Sequence, residues 1–115
     1  MTTIYHNPRC SKSRETLQLL ESRGIKPDVV LYLETPPDAQ TLKTLLKKLG
    51  LKPRELMRQK EAEYKEMGLQ DPSLSDEQLI DAMVKCPKLI ERPIVVQGKK
   101  AALGRPPENV LEILP

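Results

Sequence analysis

The sequence predicts an α/β domain built on a four-stranded mixed sheet flanked by helices. Three observations carry that expectation. Residues 2–33 read as strand, helix, strand, a βαβ unit of about thirty residues. Residues 94–114 read as a hairpin followed by a helix. The stretch between them has helical but no strand periodicity.

The elements follow in order. Residues 2–5 form a short strand. Residues 11–23 form a helix with Thr16, Leu17, Leu19 and Leu20 on its inward side and Gly24 at the stop position. Asp28-Val29-Val30-Leu31-Tyr32-Leu33 reads as a continuous, buried strand. The first two strands are then parallel, with a right-handed crossover. Glu34-Thr35-Pro36-Pro37 is a turn, and Asp38 caps a helix whose Leu42, Leu45, Leu46 and Leu49 share one face as far as Gly50. Pro53 opens a short helix carrying Leu56 and Met57, and another spans Glu61–Met67. Ser75-Asp76-Glu77-Gln78 matches a capping box, followed by Leu79, Ile80, Met83 and Val84 on the buried face and Pro87 at the end. Ile94-Val95-Val96 and Ala101-Ala102-Leu103 pair across Gln97-Gly98-Lys99-Lys100. Pro106-Pro107 opens a last helix with Val110, Leu111 and Leu114 facing in.

The chain has 115 residues, the usual size of one domain, so a single domain over 1–115 is expected. The formal charge of +3 suits small anions. With three Tyr and neither Trp nor Phe, single-stranded nucleic-acid binding by aromatic stacking is not expected. Two Cys and one His make neither a disulfide framework nor a zinc site. The start Met1-Thr2-Thr3-Ile4 has no signal-peptide pattern, and no apolar run reaches bilayer length. A soluble, reducing, cytoplasmic setting without membrane contact is the expectation.

The chemistry concentrates in Tyr5-His6-Asn7-Pro8-Arg9-Cys10-Ser11-Lys12-Ser13-Arg14. The first turn of a helix has unpaired N–H groups and a partial positive charge, and a thiolate placed there is stabilised. Arg9, Lys12 and Arg14 add positive charge. The N–H groups and the Ser11 and Ser13 hydroxyls can hold an oxyanion. Cys10 thus reads as a nucleophile inside an anion cradle; the plain alternative is a small inert cysteine. His6 either tunes the thiol or holds the turn. Ser13 is placed to hydrogen-bond the thiolate.

Five blocks in order give a resemblance over almost the whole chain: His6 to Arg14; Tyr32-Leu33-Glu34-Thr35-Pro36-Pro37; Arg54-Glu55-Leu56-Met57-Arg58; Leu89-Ile90-Glu91-Arg92-Pro93-Ile94-Val95-Val96; and Gly104-Arg105-Pro106. The chain resembles the glutaredoxin-coupled arsenate reductases, a branch of the thioredoxin-like fold. The fold this implies has a helical block inserted between the βαβ unit and the C-terminal ββα unit. The resemblance implies Cys10 as nucleophile, with Arg58, Arg92 and Arg105 as oxyanion donors. Taken singly, each arginine also has a structural reading: a solvated helix face, a strand anchor, a partner for nearby carbonyls. His6, Ser11, Lys12, Ser13 and Arg14 would bind substrate or tune the thiolate, and Pro93 would be cis.

Ser13 stands three residues after Cys10, so no internal Cys-x-x-Cys disulfide can form. Cys86 reads as structural. The resemblance therefore implies glutathione as co-substrate and glutaredoxin as partner, with no bound metal or organic cofactor, and a monomer is expected. Two other readings share these residues. One is an Spx-like regulator that binds RNA polymerase, against which Ser13 counts because many of those carry Cys-x-x-Cys. The other is a glutathione-dependent thiol oxidoreductase with a different substrate.

Overall fold

Alternating burial marks the first strand, β1 (Thr2–Tyr5), whose Thr2 and Ile4 point inward. β1 is central in a four-stranded sheet of order β2-β1-β3-β4. It pairs in parallel with β2 (Asp28–Val30), and antiparallel with β3 (Ile94–Gln97), which pairs antiparallel with β4 (Lys100–Leu103). The crossover from β1 to β2 is the helix α1 (Ser11–Ser22).

The computed structural model describes every residue, Met1–Pro115. Two compact units emerge: Met1–Thr35 with Arg92–Pro115, and Pro36–Glu91. In the first unit, Ile4, Leu20, Val95 and Val110 form a core with zero exposure. These come from β1, α1, β3 and the terminal helix, so the core ties both ends of the unit to the sheet. Each such aliphatic side chain contributes about 1.5–3 kcal/mol by leaving water. Gly104 follows β4 because nothing larger fits there. A Cβ would collide with Thr16 Oγ1 and stand 2.8 Å from Pro93 Cγ.

The second unit is helical. α2 (Ala39–Leu49) starts where Asp38 Oδ1 accepts the Thr41 N–H at 2.7 Å, and ends at Gly50 with φ of 69°. α3 (Pro53–Leu56) and α4 (Ala62–Glu66) are single-turn helices. Arg54 gathers the chain around them: its guanidinium donates to the Tyr64 hydroxyl and to the carbonyls of Leu69 and Asp71. α5 (Asp76–Lys85) opens with the Ser75/Gln78 capping box and buries Leu79, Ile80, Ala82 and Met83. A 3₁₀ turn, Pro87–Leu89, follows. Met57 and Ile90 then form an isolated antiparallel bridge, flanked by Arg58 N–H to Leu89 O at 2.7 Å and Glu91 N–H to Leu56 O at 2.8 Å.

Three expectations need correction. The apolar run 28–33 is not one buried strand. β2 covers only Asp28–Val30, and Val29 is 46% exposed because β2 is an edge strand. Beyond Val30 the chain turns, with the Glu34 and Thr35 N–H groups both donating to Leu31 O at 2.9 Å. On α5, Ala82 is buried and Val84 only half-buried. The terminal helix, Pro107–Ile113, is 3₁₀ rather than α. It is only seven residues long, so few intrahelical hydrogen bonds would offset the cost of nucleating an α-helix.

No helix of the chain is long and apolar enough to cross a membrane.

Candidate active site

Asn7-Pro8 is a turn signal, and the turn it makes delivers Cys10 to the start of α1. The Asn7 carbonyl accepts the Cys10 N–H at 3.0 Å, and Asn7 Oδ1 accepts the Arg9 N–H at 3.0 Å. Cys10 is the N-cap: its backbone is extended (φ −96°, ψ 123°), while its carbonyl accepts the Arg14 N–H at 3.0 Å, the first turn of the helix. The thiol is half-buried, with the open N–H groups of the first turn around it.

Burial pushes the Cys10 thiol up. The Ser13 backbone N–H, the Arg92 guanidinium and the Lys12 backbone N–H together outweigh it, and the net pKa lies below the ordinary thiol value. Arg105 adds a second guanidinium: its Nη1 lies 3.9 Å from Cys10 Sγ and donates to the Arg92 carbonyl at 3.4 Å. Arg92 enters from the segment before β3 and Arg105 from the segment after β4. Both are followed by a cis proline, Pro93 and Pro106. The cis bond at Pro93 was expected; that at Pro106 was not.

A buried hydrogen-bonded cluster supports the turn. Ser13 Oγ lies 2.6 Å from His6 Nδ1 and accepts the Asn7 N–H at 3.0 Å. Ser13 has no exposure, and His6 and Asn7 have 6% and 7%. Burial and the nearby Arg14 charge lower the His6 pKa, which favours the neutral ring. The Asn7 N–H occupies one lone pair of Ser13 Oγ, and the hydroxyl proton can then go to Nδ1 of the neutral ring. Ser13 reaches the Cys10 sulfur through its backbone N–H, while its hydroxyl is held by His6 and Asn7.

The remaining site candidates divide. Ser11 and Lys12 are exposed on the first turn, with Lys12 Nζ 3.8 Å from Glu15. Arg14 donates to the Pro8 carbonyl at 2.9 Å, a brace for the loop. Arg58 belongs to the helical unit. There its Nη1 donates to Glu91 Oε1 at 2.7 Å, and its Nε lies 3.6 Å from Glu61. The first unit thus brings Cys10, Arg92 and Arg105 together, with His6 and Ser13 beneath the loop. Asn7 and Glu91 went unnoticed in the sequence as site residues. Asn-Pro before a helix was a signal for the first; an ion pair across 33 positions leaves none for the second.

A thiolate at a helix start, ringed by two N–H groups and two guanidiniums, defines a nucleophilic thiol site that can hold a small oxyanion. The sheet order and helix placement are those of the thioredoxin-like fold. The profile of the ArsC family matches residues 5–113, and the chain belongs to that family. It is 69% identical over 112 residues to an uncharacterized Escherichia coli (strain K12) protein, YfgD, covering 96% of this chain and 94% of the relative. It is 54% identical over 112 residues to an arsenate reductase of Neisseria meningitidis serogroup A, covering 96% of each. Among solved structures, an arsenate reductase from Vibrio cholerae superposes with a TM-score of 0.97 at 60% identity, covering 98% of this chain and 97% of that one.

Proposed function

We propose that this chain is an arsenate reductase that uses glutathione and glutaredoxin. The observation that carries the reading is the lowered thiol of Cys10 between the Arg92 and Arg105 guanidiniums. Relatives named arsenate reductase at this level of identity support it.

Arsenate is a tetrahedral oxyanion at neutral pH. The Cys10 thiolate attacks arsenic, a sulfur–arsenic bond forms, and one oxygen leaves as water after protonation. The N–H groups at the start of α1 and the arginine forks neutralise the oxygens as charge shifts among them. A glutathione thiolate then displaces a second oxygen. Glutaredoxin's thiolate attacks the glutathionyl sulfur, the sulfur–arsenic bond breaks, and its electron pair stays on arsenic. Arsenic passes from the +5 to the +3 state, and the two electrons come from the two sulfurs, which leave as a mixed disulfide. Water releases arsenite from Cys10 and restores the thiol. The reaction needs abundant reduced thiol, which fits a cytoplasmic setting.

The test is arsenite formation from arsenate with glutathione, with and without glutaredoxin. Turnover that requires both is expected. No arsenite under any thiol supply, from a folded protein with a reactive Cys10, would overturn the reading in favour of another thiol substrate.

A further inference from the structure

Beside the nucleophile, in the same unit, lies a cleft of about 340 Å³. One wall is the loop His6, Asn7 and Arg9 that leads into Cys10; the other is Leu31, Leu33 and Glu34 after β2. The cleft is within the size range of small-molecule sites. Both walls are fixed by hydrogen bonds. Asn7 Oδ1 holds the Arg9 N–H at 3.0 Å, and Leu31 O takes the N–H groups of Glu34 and Thr35 at 2.9 Å. The mouth carries one charge of each sign. Arg9 and Glu34 are both exposed, and neither enters an ion pair. Leu33, 45% exposed, adds apolar surface to the wall that carries Glu34.

We propose that this cleft is the subsite for the thiol co-substrate, and that it selects a short peptide thiol bearing both a free ammonium and a free carboxylate. Glu34 takes the ammonium, Arg9 takes a carboxylate, and Leu31 and Leu33 cover the aliphatic middle. Arg9, at one end of that span, immediately precedes Cys10, so a ligand held there lies next to the residue its sulfur must reach. A small neutral thiol gains nothing from either charge. The inference rests on the proposed use of glutathione, and it adds the residues that recognise it.

The test avoids arsenate. Oxidised glutathione and 2-hydroxyethyl disulfide are each reacted with the reduced protein. In both cases the Cys10 thiolate attacks one sulfur, a mixed disulfide forms, the original disulfide breaks, and its electron pair leaves on the released thiolate. The ratio of the two rates cancels any change in Cys10 itself. Glu34→Lys and Arg9→Glu reverse exposed charges and leave the core untouched. Each should lower the ratio on the order of tenfold, since an attraction becomes a repulsion. S-methylglutathione, titrated into isotope-labelled protein, should shift the amides of Asn7, Arg9, Leu33 and Glu34. An unchanged ratio in both variants, or shifts confined to other surfaces, would overturn the inference. A fallen ratio in a protein that makes no arsenite would uphold the cleft and retire the arsenate reading alone.

Discussion

Cys10 and Cys86 are both half-buried free thiols, but they stand at opposite kinds of helix end. Cys10 caps the start of α1, where N–H groups point outward and two guanidiniums converge. Cys86 closes α5, next to carbonyl groups that carry the negative end of the helix dipole. Its own N–H donates to Ala82 O at 2.8 Å, and its carbonyl accepts the Leu89 N–H at 3.0 Å, so its backbone is spent on joining α5 to the 3₁₀ turn. The two thiols differ less in exposure than in the polarity of the backbone around the sulfur, and for Cys10 that polarity is reinforced by arginines from distant segments.

The most severe way to probe this contrast is Cys10→Ser. On the proposed reaction it should bring arsenite production to background, because a hydroxyl is far harder to ionise than this thiol. The substitution also removes a linkage. The folded state holds the Cys10 pKa below its unfolded value, so the thiolate stabilises the fold above the ordinary thiol pKa. That contribution is lost as pH falls through the folded-state value. The stability gap between wild type and Cys10→Ser should therefore grow with rising pH and level off in alkali. Denaturant titrations across pH would show it, and a gap that grows toward acid would break the assignment.

Next in size is Arg92→Lys. The charge stays, but the planar fork is lost. A missing oxyanion donor costs on the order of a hundredfold in kcat. The midpoint of Cys10 alkylation against pH should also rise, which separates a contact to the sulfur from a purely structural role. An unchanged rate and midpoint would mean that the helix start alone distinguishes Cys10 from Cys86.

Ser13→Ala acts on the support beneath the thiol. It strands the Asn7 N–H and takes the hydroxyl partner from His6, both buried. The expected loss of stability is about 1–3 kcal/mol by denaturant unfolding. The alkylation midpoint should move little, because the Ser13 backbone N–H remains. A large rise would assign the thiolate to the hydroxyl after all.

Much of this was readable beforehand, for local reasons. Asp38, Gly50 and the Ser75/Gln78 box mark helix ends by short-range hydrogen bonds, so sequence suffices to find them. The position of Cys10 before α1 is local in the same way. The extent of β2 was not readable, because Val29 to Leu33 is equally apolar whether a strand is buried or runs along an edge into a turn. Nor did pattern bring Arg92 and Arg105 to Cys10. They come from the ends of the β3–β4 hairpin, more than eighty positions along the chain, and only the family resemblance pointed to them. The division of labour in Ser13, backbone to the thiolate and hydroxyl to His6, depends on rotamer and register that no motif encodes.

The mildest substitution, Cys86→Ala, tests the other side of the comparison. If Cys86 resolved the Cys10 adduct, oxidation would pass along the protein's own sulfurs and external thiol would only regenerate it. The structure gives Cys86 none of the features that activate Cys10. It follows Lys85 at a helix C-terminus, and its backbone is committed to the turn at Pro87–Leu89. Replacing a half-buried thiol by a methyl group changes little volume, so stability should shift by about 1 kcal/mol or less. Activity should stay within about twofold of wild type, and turnover should still depend on added thiol. Mass spectrometry after one turnover should find the glutathionyl group on Cys10 and no Cys10–Cys86 disulfide. That disulfide, together with an inactive Cys86→Ala, would make both helix ends redox-active and replace glutathione as the resolving thiol.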